Sequence, residues 1–351
     1  MHYTTLGKTG LKVSVAGLGC GGNSRIGLGT GLGESQAVAL VKEALDLGVN
    51  FLDTAASYGT EEVVGKAIKG RPHEAIVLST KSHITRNFGP EPMSAAEVVA
   101  NLDTSLKRLD TDYIDVFHLH GLSRRGYDRA MLEIVPALLR EKEKGKFRHL
   151  GISETAPHDP EHRMVTRACR DDLWEVAMLG FHMMHQNARQ NVFPLTRHYR
   201  VGTLLMFAVR NIFSQPGRLQ RTMRELAAAG LVPQAFADSP DPLGFLVHEG
   251  GASSVIDAAY RFVRHEPGVD VVRFGTGDHE HLKSNIGSLV KPRLPVSDRG
   301  KLAELFGHLV GSASTPVSQP RRTRGQPLIA ALSEGARVVR TASRKCRRAW
   351  E

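Results

Sequence analysis

The chain has 351 residues, 41% hydrophobic and 23% charged, with a formal net charge of +10. That composition is globular, and no stretch approaches the run of about eighteen apolar residues that a membrane helix needs. The three cysteines, Cys20, Cys169 and Cys346, are far apart and show no metal-ligand spacing, so neither a disulfide framework nor a metal site is expected. The opening residues Met1 to Lys8 carry no charged-then-apolar leader, and a cytoplasmic location is expected.

The charge is unevenly spread. Residues 312–351 hold nine of the basic residues and two of the acids, a balance of +7 that leaves +3 for everything before. The basic character belongs to that tail. An arginine-rich tail can meet phosphate backbones, but a disordered, solvated extension is the preferred reading. Nucleic acid is therefore not an expected partner.

In chain order, residues 3–21 read as two short strands around Lys8-Thr9-Gly10, then a glycine-rich strand near 13–19. The glycines that follow suggest a close backbone approach to a ligand. They are not a dinucleotide fingerprint, because no helix opens directly after them. Helical periodicity covers 35–47 and closes on Gly48. The apolar run Phe51-Leu52-Asp53 follows, with Tyr58 on the next loop and Thr60-Glu61-Glu62 as a threonine-capped helix start. Strand 75–81 precedes a helix opened by the capping box Ser94-Ala95-Ala96-Glu97. Strands 113–120, 149–153, 175–181, 202–208 and 269–275 come after, with helices near 128–144, 161–170, 217–229, 253–265 and 278–289. A last helix is read over 298–310.

Eight short strands alternating with helices require a parallel sheet with helices outside. Eight units in this length predict a closed (β/α)8 TIM barrel over 1–311, with a short N-terminal β-hairpin and the tail at 312–351. Chemistry in such a barrel gathers at the carboxyl ends of its strands. There the sequence offers Asp53, Lys81, His120 and Ser153, with Tyr58 arriving from a loop. A lysine closing an apolar run needs a partner, and Asp53 on the neighbouring strand is the natural one. The ammonium is expected to lower the pKa of Tyr58 toward one useful for proton transfer. A neutral His120 would orient a carbonyl oxygen. His118 is expected to point away from His120 and to pack. No side chain gives hydride, so a nicotinamide cofactor is implied.

Asp53, Tyr58, Lys81 and His120 resemble, in order and spacing, the catalytic tetrad of the aldo-keto reductase superfamily. The stretches Leu6 to Ser14, Gly151-Ile152-Ser153 and Gly275-Thr276-Gly277-Asp278 with Leu282 and Asn285 extend the resemblance over about residues 1–311. It implies an NAD(P)(H)-dependent enzyme interconverting a small carbonyl compound (aldehyde, ketone or sugar) and an alcohol. A redox-sensing regulatory subunit on the same fold is the alternative. It further implies that Ser153 bonds the nicotinamide carboxamide, Phe207 stacks on the ring and Asn285 reaches the adenine. Gly275, Thr276, Asp278 and His281 fall around the adenosine 2′-phosphate, and Arg210 is either a substitute pyrophosphate contact or a solvated arginine. NADP is the implied cofactor, with NAD possible, because His281 and the glycines stand where the family carries Lys and Arg. Arg273, Lys283 and Arg210 are candidates to compensate. Glu154 and Met178 replace the family's usual Asn and Gln.

Overall fold

In this computed structural model the described residues are 1–86, 89–155, 158–215 and 217–310. The expectation for the tail at 312–351 lies outside them. A hairpin of β1 (Tyr3–Thr5) and β2 (Lys12–Ser14) precedes eight parallel strands: β3 (Ala16–Gly19), β4 (Phe51–Asp53), β5 (Val77–Ser82), β6 (Ile114–Leu122), β7 (Phe147–Glu154), β8 (Val176–Gly180), β9 (Gly202–Met206) and β10 (Val271–Phe274). The last strand pairs with both β3 and β9, which closes the barrel. The eight-stranded parallel barrel and the N-terminal hairpin are as the sequence predicted. No helix among the described residues is long and apolar enough to cross a membrane.

Two apolar clusters follow from the period-two alternation of the strands. Leu52, Leu78, Phe117, Leu150 and Val272 face outward into the layer beneath the helices. Phe51, Val77, Val116, Val176, Leu204 and Val271 face inward and fill the lumen together with Leu6, Leu11 and Val13 of the hairpin segment. The hairpin therefore plugs one end, and the polar chemistry is left to the other.

Local signals explain most of the helices. Ser94 caps the helix Ala95–Leu109: its Oγ accepts from Glu97 N at 3.3 Å, while Ser94 N donates to Glu97 Oε2 at 2.7 Å. That helix buries Val98, Leu102 and Leu109 on one face. Thr60 occupies the cap position of the helix Glu61–Ile68 but makes no side-chain cap bond. Its hydroxyl instead pairs with Thr54 Oγ1 at 2.8 Å, tying the loop that carries Tyr58 to the end of β4. The stretch read as one helix over 128–144 is the helix Arg124–Arg129, a π-helical turn Ala130–Ile134 and the helix Val135–Glu143. Its interruption precedes Pro136, which removes a backbone donor.

Candidate active site

Inward-facing positions at the carboxyl ends of neighbouring strands converge here. Asp53 ends β4 and Lys81 lies near the end of β5; both are fully buried. Lys81 Nζ donates to Asp53 Oδ1 at 2.6 Å, to Asp53 Oδ2 at 2.7 Å and to the Thr54 carbonyl at 2.7 Å. All three ammonium donors have acceptors, as a buried lysine requires. Ser79 Oγ adds a 2.8 Å bond to Asp53 Oδ1. Burial works to raise the Asp53 carboxyl, but Arg273 and Lys81 together hold it below its usual range. Burial in turn pushes Lys81 down to about 8, against the pull of Asp53.

Above this pair stands Tyr58, its Oη 3.3 Å from His120 Nε2 and its ring edge-on to the imidazole. Lys81 Nζ is 5.3 Å from the Tyr58 ring centroid. Burial, and then the charge of Lys81, hold His120 well below its ordinary value, so it is neutral as expected. His83, from the segment after β5, stacks on His120 at 4.0 Å.

Two expectations about this group need correction. The Tyr58 hydroxyl is pushed up to about 12, chiefly by burial, and the cation that most opposes the rise is Arg273 rather than Lys81. Lys81 already spends its three donors on Asp53 and the Thr54 carbonyl. His118 does not point away from His120. Residues two apart on a strand share a face, and His118 lies inside the barrel, fully buried and pushed by burial to about 3. Its ring fills the space beside Gly151, where a Cβ would come within 2.2 Å of it.

The glycines after β3 have a specific job. A Cβ built on Gly21 would stand 2.3 Å from the Tyr58 ring. The close approach inferred from sequence is therefore made to Tyr58 itself. Gly21→Ala is expected to displace the phenol and lower turnover by about tenfold or more, since misplacement of about 1 Å can cost up to a hundredfold. The thermal midpoint should change little; wild-type turnover in this variant would show that the contact does not position Tyr58.

Tyr58 and His120 open onto a cleft of about 1030 Å³ that continues past Ser153, Phe207, Gly275 and Thr276 to His281, Asn285 and Lys291. Arg210 and Asp278 are not in this lining. The Arg210 guanidinium lies over the Phe207 ring at 4.2 Å. Asp278 caps the helix His279–Val290, accepting from His281 N at 2.8 Å. Of the three compensating cations, Lys283 is engaged by Glu43 and Glu280 on the surface, and Arg273 turns into the barrel.

Both departures from the expected pattern have structural partners. Glu154 accepts from Gly180 N and pairs with the buried His162, each at 2.8 Å. Met178 Sδ accepts from Arg273 Nη1 at 3.0 Å. Arg273 is an inward residue that the sequence reading did not place here; the alternation with the lumen residue Val271 carries the signal.

Residues 18–305 match the Aldo/keto reductase family. The chain is 39% identical over 160 residues to L-galactose dehydrogenase of Arabidopsis thaliana, covering 44% of this chain and 48% of that protein. It is 26% identical over 304 residues to an aldo-keto reductase of Bacillus subtilis, covering 78% and 85%. Among solved structures, an aldo-keto reductase from Bacillus halodurans in its holo form superposes with a TM-score of 0.67 at 25% identity, covering 87% and 96%. An aldo/keto reductase from Klebsiella pneumoniae, solved with NADP and acetate, shares the fold with a TM-score of 0.61 at 21% identity, covering 87% and 95%. The chain belongs to the aldo/keto reductase family, whose members are NAD(P)-dependent oxidoreductases.

Proposed function

We propose that the protein interconverts a small aldehyde, ketone or sugar carbonyl and its alcohol, with Tyr58 as the group that gives and takes the proton. The observation that carries this reading is that Tyr58 Oη and His120 Nε2 stand 3.3 Å apart at the mouth of a large cleft, above a buried Lys81–Asp53 pair, where burial favours the neutral form of both. His120 and Tyr58 can both meet one carbonyl oxygen. Burial keeps the phenol protonated at neutral pH, so it can donate as that oxygen gains charge; an alkoxide is the stronger base and takes the proton.

The residues present fit a dinucleotide. Beyond Tyr58 the cleft is lined by an aromatic face, Phe207, then by the hydroxyls of Ser253, Ser254, Thr276 and Ser284, the amides of Asn211 and Asn285, and the Lys291 ammonium. Ser153 and Phe207 would hold the nicotinamide end and Asn285 the adenine end, with Thr276 and His281 beside the ribose. A bound reduced nicotinamide supplies the hydride that no side chain can. Oxidation of NADPH and NADH against a panel of aldehydes, ketones and aldoses tests the reading; no turnover with any of them would overturn it.

NADP(H) is the proposed working cofactor, with weak discrimination against NAD(H). Asp278 already occupies a free amide of the helix and brings a negative charge to its N-terminus. Arg273, Lys283 and Arg210 are engaged elsewhere, and Lys291, which also lines the cleft, is held by Asp257 and Ser253. His281 is then the exposed basic side chain on the helix His279–Val290 that borders the cleft without a strong acidic partner. The expected preference for NADPH in kcat/KM is below about a thousandfold, or about 4 kcal/mol. A larger ratio would mean that a strong 2′-phosphate site exists.

A further inference from the structure

The mouth of the barrel holds a second cation beside Lys81, the one that most opposes the rise of Tyr58. Arg273 lies on β10, two residues after the lumen residue Val271, and its side chain turns inward. Its Nη2 is 2.5 Å from Asp53 Oδ2, on the carboxylate that also receives Lys81. Its Nη1 is spent on a thioether, a weak acceptor, and its Nε has no hydrogen-bond partner. The side chain is 11% exposed and borders the same cleft as Tyr58, His120 and Ser153.

The charges here do not cancel. Asp53 contributes one negative charge, Lys81 and Arg273 two positive ones. The neighbouring titratable groups do not restore the balance: burial keeps His83, His118 and His120 uncharged and leaves Cys20 a thiol. Glu154 also borders the cleft, but its carboxylate is held by His162 and Gly180 N, and His162 is raised by that same carboxylate against its burial. A guanidinium stays protonated throughout the working range.

We propose that Arg273 is a positioning residue that gives the floor of the cleft one uncompensated positive charge, and that this charge selects the reduced nicotinamide over the oxidised one. The inference rests on the cofactor reading above. The oxidised ring carries a positive charge and the reduced ring does not. A fixed cation in a partly desolvated cleft therefore disfavours the oxidised form, and it equally favours an oxygen that becomes negative during carbonyl reduction. During hydride transfer the two effects oppose each other, because the ring gains a positive charge as the oxygen gains a negative one, so the selection is one of cofactor binding.

Equilibrium binding of NADPH and of NADP⁺ to wild type, R273Q and R273K, by calorimetry at low salt, tests this without turnover. Both nucleotides carry the same phosphates, so the ratio of their dissociation constants isolates the charge of the ring. Wild type is expected to bind NADPH at least about tenfold more tightly than NADP⁺, and R273Q to narrow that ratio by about tenfold. R273K keeps the charge and should keep most of the ratio. R273M serves in place of R273Q if the polar neutral side chain prevents folding. A ratio that the neutral variants leave unchanged, with both nucleotides bound, overturns this inference and leaves the functional reading standing. Failure of wild type to bind either nucleotide overturns both.

Discussion

Replacing Tyr58 with phenylalanine is expected to lower turnover by at least about a hundredfold, the lower end of the range for a positioned general acid. Cofactor affinity should be nearly unchanged. The substitution removes one hydroxyl from a ring held by Gly21 on one side and His120 on the other, so packing survives and only the proton is lost. The pH dependence of wild type gives an independent check. Carbonyl reduction needs the protonated phenol, which burial secures by pushing the group up to about 12. Alcohol oxidation needs the phenolate, so its rate should climb as pH rises from neutrality, while reduction stays nearly flat over the same interval. Tyr58→Phe should lose that climb. Near-normal turnover in the variant, or a rising profile that persists without the hydroxyl, would remove Tyr58 from the chemistry.

Two residues of the candidate site were legible because each breaks a local rule. Asp53 and Lys81 are charges at the ends of apolar runs, and a charge in such a place must be paired. The barrel itself followed from alternation and count. His118 shares the inward face with His120 because residues two apart on a strand point the same way. Arg273 follows the same rule. Its strand is legible in the sequence, but the resemblance points the arginine at the cofactor phosphates, whereas the alternation with Val271 turns it into the lumen. The exact partners of Glu154 were less accessible. They depend on His162, whose left-handed backbone (φ 56°) returns its ring to the strand end; no periodicity reports such a turn. The failed cap at Thr60 belongs here too, since sequence cannot say that Thr54 would compete for its hydroxyl.

Lys81→Met is the second large effect, and its size separates two views of the buried charges. If Lys81 were the sole counter-ion of Asp53, the variant would strand a fully buried carboxylate. Breaking such a pair costs about 3–5 kcal/mol, enough to threaten a fold of ordinary stability. Arg273 changes the account. Its guanidinium remains 2.5 Å from Asp53 Oδ2, and Ser79 Oγ still donates to Oδ1 at 2.8 Å. The carboxylate keeps a cation and a hydrogen bond, and the unmet group is mainly the Thr54 carbonyl that accepted from Lys81 Nζ. The loss should then be about 1–3 kcal/mol, the cost of a buried polar group left without its partner. Turnover should fall by at least about tenfold, because Thr54 and Asp53 anchor the loop that presents Tyr58. Urea unfolding measures the first quantity and steady-state kinetics the second. A folded Lys81→Met with an unchanged urea midpoint and normal turnover would show that the lysine is dispensable. A variant that cannot fold would show that Arg273 does not share the carboxylate in solution.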